Sequence, residues 1–299
     1  MRPKPLKTNT STNRKLGSPP RREPNANPIS ATPLRYHRCL PPAAPDILAR
    51  IVSRKHEELR EATTPLAHLR HLAETRTDQR NFAASLRSKH PAIISEIKKA
   101  SPSKGVLVED FHPADLAMKY QQGGAVALSV LTDKDFFQGS LADLRAARAA
   151  CMLPVIRKDF TISDYHVYEA AAAGADAILL IVAVLDEAEL RAYRQLAQTC
   201  GMAALVEAHN ADEVDTAVRS GAEIIGINNR DLRTFKVSLD TSINLAPSIP
   251  PGITKVSESG IFLAADIRRL TDAGFDAFLV GEHLVKSGDA TRALQELVA

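Results

Sequence analysis

The chain has 299 residues, of which 44% are apolar and 24% are charged, a composition typical of a globular protein. Its longest uninterrupted apolar run, Ala177–Leu185, has nine residues, whereas a membrane-spanning helix needs about 20, so no membrane partner is expected. The net charge of +3 is unevenly spread, because residues 1–45 carry +8 and the rest of the chain carries −5. The acidic body is therefore not expected to bind nucleic acid.

The first region in chain order, residues 1–45, is a basic tail rich in proline. It contains ten of the 18 prolines and a single acidic residue, Glu23. Such a composition buries too little apolar surface to offset the entropy of ordering, so disorder is predicted. Three explanations of this tail stay open: a dispensable disordered segment, a targeting segment, or a start assigned too far upstream.

Residues 46–299 are predicted to form a single domain that begins with a helical extension. Ile47, Leu48 and Ile51 recur at helical spacing, and a second helix is predicted over Pro65–Leu72, so that the helical extension covers residues 46–72. Both helices precede the first predicted strand and are expected to pack against the domain that follows.

An internal repeat of about 50 residues organises the remainder of the chain. A glycine between a helical pattern and an apolar run recurs at Gly124, Gly174, Gly221 and Gly274, at separations of 50, 47 and 53 residues. In each copy glycine is able to take the left-handed conformation that ends a helix. One further strand between successive copies gives two βα units per repeat, so four repeats predict eight strands.

The predicted strands are nearly continuous apolar runs, as expected for a parallel sheet covered by helices. No GxGxxG motif follows the first strand, and reactive groups end too many strands for the single crevice of a doubly wound sheet. The predicted fold is therefore an α/β protein, a (β/α)8 TIM barrel with an N-terminal helical extension. Its strands are predicted at Ala92–Lys98, Ala125–Leu131, Pro154–Lys158, Ala177–Val182, Ala203–Glu207, Ile224–Asn228, Ile253–Ser257 and Ala277–Val280.

Charged and amide side chains end several of these strands, which gathers them around one mouth of a barrel. Glu96 and Lys98 lie two residues apart and share one face of the first strand. Lys158, Glu207 and Asn228 end the third, fifth and sixth strands. A lysine near carboxylates is suited to general acid catalysis, and burial and neighbouring charges tune the pKa of a strand-end glutamate.

Glycine-containing loops follow the last two strands. Ser259 and Gly260 come after the seventh strand, and Gly281 precedes a helix predicted from Glu282 after the eighth. Backbone N–H groups in such loops bind phosphate, and strands seven and eight are the usual phosphate site of this fold. A phosphorylated small molecule is the predicted partner.

Together these motifs resemble the indole-3-glycerol phosphate synthase family, the ring-closing enzymes of tryptophan biosynthesis. The resemblance runs from about Asp46 to the C terminus and shows no departure at a position that matters to the family's chemistry. The motifs that carry it are Glu96-Ile97-Lys98-Lys99-Ala100-Ser101-Pro102-Ser103, Leu128-Ser129-Val130-Leu131-Thr132-Asp133, Arg157-Lys158-Asp159-Phe160, Leu205-Val206-Glu207, Gly226-Ile227-Asn228-Asn229-Arg230-Asp231-Leu232 and Ser257-Glu258-Ser259-Gly260-Ile261.

The resemblance implies ring closure of 1-(2-carboxyphenylamino)-1-deoxyribulose 5-phosphate without a cofactor or metal, with loss of carbon dioxide and water. The implied catalytic residues are Glu96, Lys98, Lys158, Glu207 and Asn228. The implied substrate-binding residues are Ser101, Phe137, Phe160, Arg230, Glu258 and Ser259, and the implied phosphate-binding residues are Ser259, Gly260, Gly281 and Glu282. Which of the two catalytic lysines is the first general acid stays open.

Three alternative functions fit these residues less well. A phosphoribosylanthranilate isomerase would need a cysteine after the first strand and an aspartate after the sixth, where this chain has Glu96, Lys98 and Asn228. A catalytically inactive binding barrel is expected to carry neutral residues at its strand ends. Nucleic-acid binding is favoured only by the tail of residues 1–45.

The cysteines indicate the compartment. Cys39, Cys151 and Cys200 are odd in number, widely spaced and without a CxxC pair, which argues against a disulfide framework or a zinc site. We therefore expect a cytoplasmic protein, either monomeric or a weak homo-oligomer.

Overall fold

The computed structural model describes residues 1, 4, 5 and 46–299. The chain divides into two compact units, Met1–Arg38 and Cys39–Ala299, and every helix and strand described below belongs to the second unit. The predicted disordered tail, residues 1–45, lies outside the described residues except for three positions. Its disorder therefore stays a prediction.

Eight parallel strands close into a barrel in which each strand pairs with the next and the eighth pairs with the first. This architecture confirms the predicted (β/α)8 fold, and the ends of the strands differ from the predicted ends by at most two residues. The strands are Ala92–Ile97 (β1), Ala127–Leu131 (β2), Val155–Lys158 (β3), Ala177–Ile181 (β4), Ala203–Ala208 (β5), Ile224–Asn228 (β6), Thr254–Glu258 (β7) and Ala277–Val280 (β8).

Within residues 46–91 three helices precede the barrel, and at least one helix follows each strand. The repeated glycines Gly124, Gly174, Gly221 and Gly274 have φ between 82° and 96°, the left-handed conformation predicted for them. The helices are Asp46–Glu61 (α1), Leu66–Thr75 (α2), Phe82–Ser85 (α3), Pro113–Gly123 (α4), Leu141–Ala150 (α5), Asp164–Ala172 (α6), Glu187–Thr199 (α7), Ala211–Arg219 (α8), Asp240–Leu245 (α9), Ala264–Asp272 (α10), Glu282–Lys286 (α11) and Ala290–Leu297 (α12), with a 3-10 turn at Ala246–Ser248.

Side-chain alternation along the strands separates two apolar cores. Ile94 and Leu205 belong to the cluster inside the barrel, whereas their neighbours Ile93 and Val206 belong to the cluster between the strands and the helices. Successive residues of a strand point to opposite faces. Each strand therefore contributes to both cores, which explains why its sequence is apolar throughout.

Two elements were not predicted from the sequence. The single-turn helix α3 brings Phe82 and Leu86 into the core inside the barrel, where both are at most 1% exposed. The segment after β1 contains a short antiparallel hairpin of Ala100–Ser101 with Gly105–Val106. The hairpin stands at the mouth of the barrel and α3 fills its interior from the other end.

Helix α1 is attached to the barrel through a buried ion cluster. The ammonium of Lys55 lies 2.9 Å from Asp133 Oδ2 and 3.0 Å from Asp159 Oδ1. Arg157 Nη2 lies 3.1 Å from the other oxygen of Asp159. Burial alone would raise the pKa of Asp159, but Arg157 and Lys55 hold that pKa well below its ordinary value.

We expect Lys55→Met to lower the free energy of unfolding by about 3–5 kcal/mol, because it leaves Asp133 and Asp159 buried without their shared cation. Urea denaturation at pH 7 measures the loss. The depressed pKa of Asp159 stabilises the fold above the unfolded-state pKa of about 3.9 and this stabilisation is lost in acid. The free energies of unfolding of the wild type and of Lys55→Met should therefore become more similar as the pH falls.

The matched control is Lys119→Met on the exposed face of α4, which should change stability by less than about 0.5 kcal/mol. Equal losses in the two variants would contradict a stabilising role for the ion cluster.

Candidate active site

The inward face of the barrel changes from apolar to charged at the C-terminal ends of the strands. On β5, Leu205 lies in the inner core and Glu207 follows two residues later on the same face. On β3, the same step leads from Ile156 to Lys158. The two-residue period of a strand therefore gathers the strand-end charges at one mouth.

One cavity at this mouth is lined by every residue predicted as a site residue. Leu48 and Ile51 of α1 add an apolar wall, so the N-terminal extension contributes to the cavity. The structure brings these residues together, while their individual roles stay predictions. The predicted residues are Glu96, Lys98, Ser101, Phe137, Lys158, Phe160, Glu207, Asn228, Arg230, Glu258, Ser259, Gly260, Gly281 and Glu282.

The ammonium of Lys158 lies between carboxyl groups at the base of the cavity. Its Nζ is 3.4 Å from Glu207 Oε2 and 3.8 Å from Glu258 Oε2. Burial alone would lower the pKa of Lys158, but Glu207, Glu258 and Glu96 raise it above its ordinary value. Lys158 is therefore held in its protonated form, the form that a general acid needs.

Glu207 and Glu258 share Lys158 but differ in their other partners. Glu207 Oε1 accepts a hydrogen bond from Asn228 Nδ2 at 3.2 Å, whereas Glu258 Oε1 has no hydrogen-bond partner among the described residues. Burial opposes ionisation of Glu207, but Lys158 and its hydrogen-bond donors hold the pKa of Glu207 well below its ordinary value. Burial and the nearby Glu207 carboxylate raise the pKa of Glu258. The two carboxyls thus favour different protonation states.

Two glycines make room for the carboxyls. A Cβ at Gly281 would lie 2.3 Å from Glu96 Oε1, and a Cβ at Gly226 would lie 2.1 Å from Glu258 Oε1. Both distances are too short for any side chain to fit without displacing a carboxyl. Glu96 also accepts a hydrogen bond from Lys98, so its position is fixed from two sides.

The end of β6 connects Glu207 to the neighbouring loops through Asn228. Asn228 Oδ1 accepts a hydrogen bond from the backbone N–H of Arg230 at 3.0 Å. Asn229 is 2% exposed. Its Nδ2 donates a hydrogen bond to the carbonyl oxygen of Ser259 at 3.0 Å. Asn229 therefore links the end of β6 to the loop after β7.

Aromatic side chains form one wall of the cavity. The rings of Phe137 and Phe160 have centroids 6.3 Å apart and planes tilted by 37°. The backbone N–H of Ala100 donates to the carbonyl oxygen of Phe137 at 3.2 Å. This bond joins the hairpin that carries Ser101 to the aromatic wall.

The loops after β7 and β8 form the opposite rim. Ser259 and Gly260 have φ of 69° and 81°, and a Cβ at Gly260 would lie 2.4 Å from Val237 Cγ1. The Glu282 carboxylate accepts hydrogen bonds from Lys104 and from Lys286, the latter at 3.0 Å. A carboxylate repels an anion, so the geometry limits the predicted phosphate role of Glu282 to its backbone.

Two residues of the site were missed in the sequence analysis. His209 Nε2 lies 3.2 Å from Glu207 Oε1, and His209 Nδ1 lies 2.9 Å from Glu213 Oε2. His209 follows Glu207 by two residues, so the alternation that identified Glu96 and Lys98 was also available here. Glu213, on α8, carries no comparable signal in the sequence.

The described part of the chain shows neither a metal-ion site nor a membrane-spanning helix. There, no group of three or more His, Cys, Asp or Glu side chains is arranged to hold a metal ion. None of the helices in residues 46–299 is both long enough and apolar enough to cross a membrane. Cys151 and Cys200 are buried and free.

Comparison with solved structures supports the fold alone, because the sequence identities are low. A thiamine phosphate pyrophosphorylase from Pyrococcus furiosus aligns with a TM-score of 0.52 and 16% identity, covering 69% of this chain and 93% of its own. A mandelate oxidase mutant aligns with a TM-score of 0.56 and 17% identity, covering 70% of this chain and 71% of its own.

Comparison with known sequences is more specific. Residues 48–297 match the family model described as indole-3-glycerol phosphate synthase. An indole-3-glycerol phosphate synthase of Chromobacterium violaceum is 49% identical over 258 residues, covering 84% of this chain and 97% of its own. Another, from Aromatoleum aromaticum, is 50% identical and covers 84% of this chain and 98% of its own. The chain belongs to the indole-3-glycerol phosphate synthase family.

Proposed function

We propose that the chain is a carboxy-lyase of tryptophan biosynthesis that converts 1-(2-carboxyphenylamino)-1-deoxyribulose 5-phosphate to indole-3-glycerol phosphate, carbon dioxide and water. The observation that carries the proposal is the ammonium of Lys158, which lies between two carboxyls at the base of the cavity. Family membership supplies the substrate, and the geometry supports the assignment of roles.

In the first half of the reaction, a ring carbon of the substrate bonds to the ribulose carbonyl carbon while the carbonyl oxygen takes up a proton. The bond between the ring and its carboxylate then breaks, carbon dioxide leaves, and the electron pair restores the aromatic ring. Lys158 donates the proton and stabilises the charge that develops on the oxygen. Lys98, hydrogen-bonded to Glu96, is the alternative donor.

In the second half, the new hydroxyl takes up a proton from the lysine not used in the first half and leaves as water, and a ring proton is lost. Glu207 accepts this proton, since its neighbours favour the carboxylate form. Its Oε2 lies 3.4 Å from Lys158 Nζ, close enough to return the proton to the lysine. Glu96 and Asn228 orient the reacting groups, because each is hydrogen-bonded to a catalytic side chain.

The walls of the cavity match the two ends of the substrate. Phe137 and Phe160 pack against its aromatic ring, and Lys98 or Arg230 pairs with its carboxylate. The phosphate is held at the opposite rim by Ser259, Gly260 and Gly281, the backbone of Glu282 and Ser101 of the hairpin.

Glu258, predicted from the family resemblance as a substrate-binding residue, is given a second role by its position. It is 2% exposed and its Oε2 lies 3.8 Å from Lys158 Nζ. Burial and the Glu207 carboxylate raise its pKa, so near neutral pH it favours the protonated form. A protonated Glu258 donates a hydrogen bond to a substrate hydroxyl.

The wider setting of the enzyme follows the sequence predictions. We propose a cytoplasmic monomer or weak homo-oligomer that acts without a cofactor or metal and binds neither nucleic acid nor membrane. The free cysteines Cys151 and Cys200 are consistent with a reducing compartment.

Lys158→Ala and Glu207→Gln should each lower kcat by about 100-fold or more, because each removes a group that transfers a proton. The assay follows indole formation from the carboxyphenylamino substrate in the presence of a chelator. The surface variants Lys119→Ala and Glu187→Gln serve as matched controls, and circular dichroism checks folding. Near-wild-type turnover in either site variant would remove that residue from the mechanism.

Gly226→Ala should lower kcat by about tenfold or more while the barrel stays folded, because the new methyl group displaces the Glu258 carboxyl. Steady-state kinetics and the thermal midpoint measure the two effects. The control is Gly252→Ala, whose Cβ meets no atom within 4 Å but whose φ of 90° carries backbone strain. A kcat change no larger than that of the control would mean that the position of Glu258 does not matter.

Deletion of residues 1–45 should leave kcat/KM within about twofold, since the described residues that line the cavity all lie within 46–299. It should also abolish any binding of the full chain to nucleic acid, because the deletion removes a segment of net charge +8. Kinetics and a filter-binding assay of both proteins test this. Loss of turnover on deletion would assign the tail a part in the active enzyme.

A further inference from the structure

His209 lies just after β5, between two carboxylates. Its Nε2 is 3.2 Å from Oε1 of Glu207, and its Nδ1 is 2.9 Å from Oε2 of Glu213. The side chain is 14% exposed, so the ring is shielded from solvent. None of the proposed catalytic roles belongs to this histidine.

The far carboxylate is fixed by the start of α8. Glu213 Oε2 accepts the backbone N–H of His209 at 2.8 Å, and its Oε1 accepts Asn210 Nδ2 at 2.7 Å. The backbone N–H of Glu213 donates in return to Asn210 Oδ1 at 3.0 Å. Glu213 is therefore a rigid support that sets the orientation of the His209 ring.

A carboxylate oxygen within 3.2 Å of each ring nitrogen favours the doubly protonated ring, because the positive charge then lies between two negative groups. Burial alone would lower the pKa of His209, but Glu207 and Glu213 raise it to about 10. The ring is thus an imidazolium across the pH range in which the enzyme is expected to work.

We propose that His209 is a positioning residue that keeps Glu207 ionised and directs Oε2 of Glu207 toward Lys158. His209 and Asn228 both approach Oε1 of Glu207 at 3.2 Å. Oε2 is left to face Lys158 and the substrate. This inference rests on the proposed role of Glu207 as a proton acceptor.

The other charged groups around Glu207 do not replace His209. Among the described residues, Lys158 on β3 also pairs with Glu207, and it is shared with Glu258 on β7. Glu258 and Glu96 are carboxyl groups at the same mouth. Negative charge on either of them opposes the ionisation of Glu207. On the β4 side, Glu207 is paired in register with the apolar Ile181. Loss of the imidazolium would leave Glu207 with the ammonium of Lys158, which it shares with Glu258.

The kinetic test compares pH profiles of kcat/KM. In His209→Gln, which retains a hydrogen-bond donor but no charge, the acid limb should move up by about one pH unit because the pKa of Glu207 rises. In the same variant kcat at neutral pH should fall by about tenfold with little change in KM. Glu213→Gln should move the limb in the same direction by a smaller amount, and His71→Gln on the exposed face of α2 should not move it.

A histidine that only joins β5 to α8 would change the thermal midpoint without moving the acid limb. An unmoved limb in both His209→Gln and Glu213→Gln therefore overturns the inference. If both variants lose thermal stability to the same extent, that loss does not by itself move the acid limb, because kcat/KM is measured on the folded protein.

A second measurement is independent of turnover. Nitrogen chemical shifts of the labelled imidazole should report both His209 nitrogens as protonated up to about pH 8 in the wild type, and Glu207→Gln should bring the titration down toward the ordinary pKa of about 6.5. A ring that titrates near that ordinary value in the wild type overturns the inference even if the enzyme is active. A wild-type protein that forms no indole product overturns the proposed function instead, and the imidazole titration still decides whether His209 holds its charge.

Discussion

The ion cluster around Lys158 is the constraint on which the rest of the site depends. A single ammonium lies within 4 Å of two buried carboxyls, Glu207 and Glu258, and the charge of Glu96 also acts on it. Burying charges is favourable only where close partners and hydrogen bonds compensate for lost hydration. Lys98 lies beside Glu96, and Asn228 and His209 lie beside Glu207, which supplies this compensation. Gly226 of β6 and Gly281 after β8 supply the space.

Adjacent residues of β3 serve two separate ion clusters. Lys158 points into the mouth, whereas Arg157 points to the outer layer, where its guanidinium contacts Asp159 and Glu169 at 3.1 and 2.8 Å. Lys55 of α1 joins the outer cluster through Asp159. The alternation of a strand thus fastens the N-terminal extension to the residue next to Lys158. The stability of the outer layer and the geometry of the mouth therefore depend on the same short segment.

The fold and most of the site were predictable because both follow from local periodicity. The repeated glycines divide the chain into βα units, and the strand-end positions of Glu96, Lys158 and Glu207 follow from the two-residue period. Long-range partners leave no such signal. Asp133 and Asp159 pair with Lys55 from a helix far earlier in the chain, and nothing in the sequence near Lys55 indicates that this lysine is buried.

Some details of the site depend on contacts that appear only once the chain is folded. Phe82 follows a polar stretch of the sequence, residues 76–81, yet it packs in the core inside the barrel. The acidic side chain of Glu282 stands at a predicted phosphate rim, but the basic residues that neutralise it include Lys104 from the hairpin after β1. His209 was predictable only in part. Its direction follows from that of Glu207 two residues earlier, while its contact with Glu213 required the geometry of α8.

Glu207 and Glu258 illustrate how one barrel makes two similar side chains chemically different. Both are at most 2% exposed, and both lie near the same ammonium, so neither burial nor Lys158 distinguishes them. The difference arises from the remaining oxygen of each carboxyl: Glu207 Oε1 is approached by Asn228 and His209, whereas Glu258 Oε1 has no donor within the described structure. Hydrogen bonds to the charged form favour ionisation, and their absence in a buried site favours the protonated acid. Environments that push the pKa values of two carboxyls apart provide an acceptor and a donor of protons at one pH, which a reaction that both adds and removes protons requires.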